Sequence, residues 1–159
     1  METEKLKFKL ELYATMWNKP PIVDISIDDK SYFNSKIEST KDSPTTIEFT
    51  VDLELEKSHK LIITRSGKDK NQTIIDDGKI VKDQLLHIKN IEIDEIDLGN
   101  LVFEGIYQPD YPEPWATQQA KIGNELPKSI KNSPNLGHNG TWTFEFVSPF
   151  YMWLLENLY

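Results

Sequence analysis

The 159-residue chain has no cysteine, which excludes a disulfide framework and any thiolate metal site. It also lacks a long apolar run. The longest, in SPFYMWLLENLY, falls well short of the ~20 residues that cross a bilayer, so membrane insertion is not expected. The opening METEKLKFKLELY alternates charged with apolar residues and has no continuous secretion-signal stretch, so synthesis in the cytoplasm without a signal peptide is expected. Basic residues are outnumbered, 18 against 26, leaving a net charge of -8. That balance repels nucleic acid and anionic lipid. Partners should be neutral, cationic or bridged by a divalent ion.

Catalytic signatures are missing too. No Gly-x-Ser-x-Gly or phosphate loop occurs, and His59, His87 and His138 are scattered, without metal-ligand spacing. A glycosidase needs two carboxylates facing each other across a cleft. Glu104, Glu113 and Glu145 are available, as similar sets are in any acidic β protein. No enzymatic activity is expected.

What the chain does have is period-two alternation. Leu6, Phe8, Leu10 and Leu12 share one face against Lys5, Lys7, Lys9 and Glu11, and Ile47, Phe49, Val51, Leu53 and Leu55 repeat the pattern. Both read as half-buried antiparallel strands. Shorter strands are expected at 23–27, 60–64, 73–76, 79–81, 85–88, 91–96, 101–106 and 141–147, separated by IDDKSY, RSGKDKNQ, DDGK and LGN. The spacing predicts one all-β domain over 1–159, an antiparallel two-sheet sandwich of jelly-roll type. Asp77-Gly78 and Asn139-Gly140 both have the chemistry of a two-residue turn.

Two segments depart from this pattern. Residues 107–140 carry Pro109, Pro112, Pro114, Pro127 and Pro134 with no clear period, which predicts a long loop insertion. Residues 148–159 open on Ser148-Pro149, a helix-start pair in which serine caps and proline takes the first helical position. The helix is apolar nearly all round and needs cover. It either plugs one end of the sandwich or docks on a neighbouring subunit through Phe150, Trp153, Leu154 and Leu158.

Two sets of residues are candidates for binding. Asp69, Asn71, Asp76, Asp77 and Asp83 offer oxygens of the kind calcium takes, six to eight at a time. Asp69-x-Asn71 begins like an EF-hand loop, but Ile74 stands at the glycine position and the closing glutamate is missing. The alternative is turn chemistry, since Asp and Asn bond nearby backbone in tight turns. Asp94, Glu95 and Asp97 follow the alternation of their strand and read as a solvated face. Tyr107, Tyr111 and Trp115, set among prolines, would make a stiff aromatic patch for a sugar ring or a partner's side chains, or else cover the sandwich edge.

From Ile22 to Leu98 the order is a strand ending in IDDK, the alternating IEFTVDLEL, HKLIITRSGKD, an acidic loop and IEIDEIDL. This order resembles the calcium-dependent xylan-binding modules, small jelly-roll sandwiches, and related domains in structural proteins of tailed bacteriophages. The resemblance covers about half the chain. It implies a calcium ion that itself coordinates sugar hydroxyls, held by Asp83 before LLHI, with Asp76 and Asp77 as weaker matches. IIDDGKIVK departs from the pattern as an inserted hairpin that displaces the site. The terminal WTFEFVSPFYMWLLENLY lies outside the module. Together these features predict a non-enzymatic structural or attachment protein of a phage virion. It would assemble with other virion proteins or copies of itself and contact host-surface carbohydrate. A free calcium-dependent carbohydrate-binding module is the alternative.

Overall fold

The computed structural model describes residues 2–17, 19–68, 74–111, 113, 115–131 and 134–158. In chain order the first strands are β1 (Thr3–Thr15), β2 (Ile22–Ile27), β3 (Lys30–Lys36), β4 (Thr45–Glu54), β5 (Ser58–Ser66), β6 (Ile74–Asp76) and β7 (Lys79–Lys82). After them come β8 (Leu85–Ile93), β9 (Ile96–Asp97), a 3₁₀ helix (Gly99–Glu104), β10 (Ile106–Pro109) and α1 (Trp115–Lys121). The chain closes with β11 (Ile130–Lys131), β12 (Asn135–Leu136), β13 (Gly140–Val147) and α2 (Phe150–Leu158).

One sheet runs β12–β8–β1–β4 with β9 on β8, the other runs β11–β10–β13–β5–β2–β3, and β6–β7 form a separate hairpin. This is the expected antiparallel sandwich. Alternation decides which side chains meet between the sheets. Leu6, Phe8, Leu10 and Leu12 of β1 and Val51 and Leu53 of β4 face Val23, Ile25 and Ile27 of β2, Leu61 and Ile63 of β5, and Trp142, Phe144 and Phe146 of β13. Each such leucine or phenylalanine contributes ~1.5–3 kcal/mol by leaving water.

β8 was expected as two strands and is one. Leu12 faces Ile88 and Glu11 faces Asn90, so Lys89 has no partner. This bulge resets the alternation: Leu86 and Ile88 are buried before it, Ile91 and Ile93 after it. The strand ends at a turn where Asp94 and Glu95 have φ of 52° and 66°. Asp94 Oδ1 accepts from the Lys7 N–H at 2.8 Å, so its exposed carboxylate also ties the turn to β1.

Three other expectations change. Of the segment 101–106 only Ile106 is strand, because Leu101 and Val102 are both buried in successive positions of a 3₁₀ turn and not alternately as on a half-buried strand. Residues 107–140 are not one loop: they hold α1 and the short strands β11 and β12. Asn139-Gly140 is not a hairpin turn, since β12 pairs with β8 in one sheet and β13 with β5 in the other. The Asp77-Gly78 turn is as expected, with φ of 52° and 74°.

The C-terminal helix plugs its own sandwich. Phe150 and Leu154 are 1% and 3% exposed, and Trp153 packs on Phe144 with ring centroids 5.6 Å apart. Of the two alternatives, plug or dock, Phe150, Trp153 and Leu154 therefore take the first and sit on the chain's own core. Leu158 ends the helix. Ser148 is not the cap. Its hydroxyl donates to the Glu4 carboxylate, which also accepts the Phe150 N–H at 2.8 Å. A carboxylate from β1 thus meets the positive end of the helix.

Gly105 has a packing reason: a Cβ there would lie 2.2 Å from the Trp142 ring. His59, on the inward face of β5, is held between the Asp28 carboxylate and the Glu54 carbonyl, the latter at 2.8 Å.

Candidate functional site

The strand face that buries Leu61 and Ile63 next presents Arg65, which is fully buried. A buried guanidinium is tolerated only with partners for its donors. Nη1 donates to Asn139 Oδ1 at 2.9 Å, and Nη2 donates to the Gln84 carbonyl at 2.7 Å and Oε1 at 2.8 Å. Burial pushes the Arg65 pKa down to about 10, with Tyr107 and Asp83 pulling it back up. The group stays cationic at neutral pH. Gln84, itself buried, donates from Nε2 to the Lys19 carbonyl at 2.8 Å.

Just past β5, the Lys68 backbone is clamped by one side chain. Its N–H donates to Asn139 Oδ1 at 3.0 Å, and its carbonyl accepts from Asn139 Nδ2 at 2.8 Å. The Lys68 ammonium lies 2.7 Å from Asp83 Oδ1 and 2.5 Å from the Gly137 carbonyl. That same Asp83 oxygen accepts the Gln84 N–H at 2.8 Å. Burial lowers the Lys68 pKa, opposed by its bond to Asp83.

Aromatic rings complete this end of the sandwich. Tyr107, 2% exposed, donates its hydroxyl proton to the His138 carbonyl and accepts the His138 N–H at 2.8 Å. Burial pushes its pKa up to about 12. The His138 ring lies 5.0 Å from Tyr111 and 5.8 Å from Trp115, which are 6.0 Å from each other. Burial and the Lys68 charge hold the His138 pKa below its ordinary value. Trp115 opens α1 and is 37% exposed. A second exposed tryptophan, Trp17, follows β1 with the Lys82 ammonium 3.5 Å over its ring, one residue before Asp83.

The structure therefore brings Asp83, Tyr107, Tyr111 and Trp115 to one end of the sandwich but gives them different roles. Tyr107 is core, not surface, and leaves the aromatic patch. Tyr111, Trp115 and His138 form the patch. Asp76 and Asp77 sit at the exposed tip of the β6–β7 hairpin. Asp69 and Asn71 lie outside the described residues. Arg65, Lys68, Gln84, Asn139, His138 and Trp17 were not anticipated. Only Arg65 had a signal, an arginine at a core-facing position in HKLIITRS. A separate cleft of about 410 Å³ beside α2 is lined by Glu104, Glu145 and Trp153. Glu145 is bonded there to the Ser58 hydroxyl at 2.6 Å.

No protein-family profile and no curated sequence matches the chain. Among solved structures it is similar to vCBM60 in complex with galactobiose. That match has 9% identity and a TM-score of 0.50, and covers 87% of this chain and 96% of the other. The selenomethionine form of vCBM60 matches at 9% identity and TM-score 0.51, covering 87% and 89%; it was described as linking two families of calcium-dependent carbohydrate-binding modules by circular permutation. The likeness establishes a fold of the kind found in those modules.

Calcium fits the described residues poorly. Among them no three His, Asp or Glu side chains group to hold a metal. The one expected ligand at the loop end, Asp83, already has its charge met by Lys68.

Proposed function

We propose that this chain is a non-catalytic carbohydrate-binding β-sandwich whose ligand lies on the loop end between β5, β8 and β13. The observation that carries this reading is the cluster of Tyr111, Trp115 and His138 rings beside the Arg65–Lys68–Asp83 network. Aromatic rings offer a flat apolar face, and the polar groups behind them are held in place by one another. The fold likeness to vCBM60, solved in complex with galactobiose, supports the same reading. Isothermal titration with galactobiose and with xylo-oligosaccharides tests it. Saturable binding that Trp115→Ala and Tyr111→Ala weaken is the expected result. Binding by neither sugar, or binding indifferent to both substitutions, would overturn it.

The setting we propose is a tailed-phage particle, in which the chain acts as a structural or attachment component. An exposed face of α2 favours it: Tyr151, Met152 and Leu155 are 60%, 56% and 41% exposed. Such a face is suited to contact with other virion proteins or with further copies of the chain. Incorporation into particles should fail when Tyr151 and Met152 are both changed to serine, with folding unaffected. Unimpaired incorporation would remove the proposed contact.

A further inference from the structure

We propose that the loop end of this sandwich is held together without a divalent metal, because the Lys68 ammonium is a built-in cation standing where carboxylate and carbonyl oxygens converge. Calcium binds such oxygens at about 2.3–2.6 Å and links the segments that carry them. Here Lys68 makes the link. It bridges Asp83, just before β8, to the Gly137 carbonyl, between β12 and β13, and is itself fixed to β5.

The bridge is built in rather than incidental. The Lys68 side chain is 11% exposed and that of Asp83 19%. Both backbone polar groups of Lys68 are bonded to Asn139, whose Oδ1 also receives Arg65. Gln84 ties the two halves, accepting from Arg65 while its own N–H bonds to Asp83. Asp83 thus faces Lys68 and also attracts Arg65, two cations to one carboxylate among the described residues. A divalent ion would have to displace the ammonium and then lie near the guanidinium.

Sugar binding at this end, if the carbohydrate reading holds, would then be independent of calcium, with Lys68 and Asp83 setting the shape of the site. Only this consequence rests on that reading.

Thermal melts of the full chain test it. The wild-type midpoint should be the same in millimolar calcium chloride and in excess chelator. Lys68→Met should lower the midpoint by about 5 °C, the order expected when one partner of a part-buried ion pair is removed. Lys68→Arg should recover more than half of the loss, and Asp83→Asn should add little to Lys68→Met, since both break one bond. A wild-type midpoint that rises with calcium chloride, or a Lys68→Met chain that melts like wild type, would overturn the proposal. Should neither sugar bind in any arm, the carbohydrate reading fails and the melts still decide the metal question.

Discussion

The two ends of β13 are finished in opposite ways. At Val147 the chain turns into α2, and the end is sealed by Phe146, Phe150 and Trp153 packed ring on ring, with Leu154 in the same core. At Gly140 the sandwich is closed by Arg65, Gln84, Asn139 and Lys68, which bond one another beside the Asp83 carboxylate. Apolar packing is non-directional and tolerates a neighbour of similar volume. A buried polar network holds only if its members keep their geometry. The first end is therefore suited to stability, and the second to holding exposed rings at fixed positions.

Substitutions can test that division. Phe150→Ala should have the largest effect, about 3–5 kcal/mol lost from unfolding free energy in a urea titration, with sugar affinity unchanged. Affinity falling in step with stability would show that the ends are not independent. Arg65→Met comes next. It leaves the Gln84 oxygens buried without their donor, which should cost about 3 kcal/mol and also loosen Asp83, so both stability and sugar binding should drop. Trp115→Ala should invert the Phe150 result, weakening sugar binding about tenfold by calorimetry while the melting midpoint moves little.

The smallest effect is expected from pH. Because His138 has its pKa held below 6.5 in the folded chain, the unfolded chain binds that proton more readily. The stabilisation is complete above pH 6.5 and is lost as pH falls toward the folded value. Urea midpoints at neutral and mildly acidic pH should differ less in His138→Gln than in wild type. An equal difference would mean that other groups carry the acid sensitivity.

How legible these two ends were in the sequence differs for a physical reason. The sandwich itself is written as alternation, so β1, β4, β5 and β13 could be read one residue at a time. β3 was missed because its unpaired Tyr32 breaks the period, since Ile25 faces Phe33 and Ser26 faces Ser31. The apolar helix was readable as needing cover, but which surface supplied that cover depends on Phe144 and Phe146 meeting it in space. The loop end was harder still. Its members come from short stretches around residues 65–68, 83–84, 107–115 and 137–139, and no local pattern links Lys68 to Asp83 or His138 to Trp115. Whether Tyr107 joins the patch or covers the sandwich edge was left open, because proline-rich surroundings say nothing about which way a ring points.

The unpaired Lys89 also bears on how this chain can change over evolutionary time. Deleting that one residue would leave Leu86, Ile88, Ile91 and Ile93 in plain alternation opposite β1, whereas deleting a paired neighbour such as Asn90 together with it would turn one of the two pairs out toward water. Related chains are thus expected to vary both in what occupies this position and in whether it is occupied, while gains or losses elsewhere in the strand come in pairs.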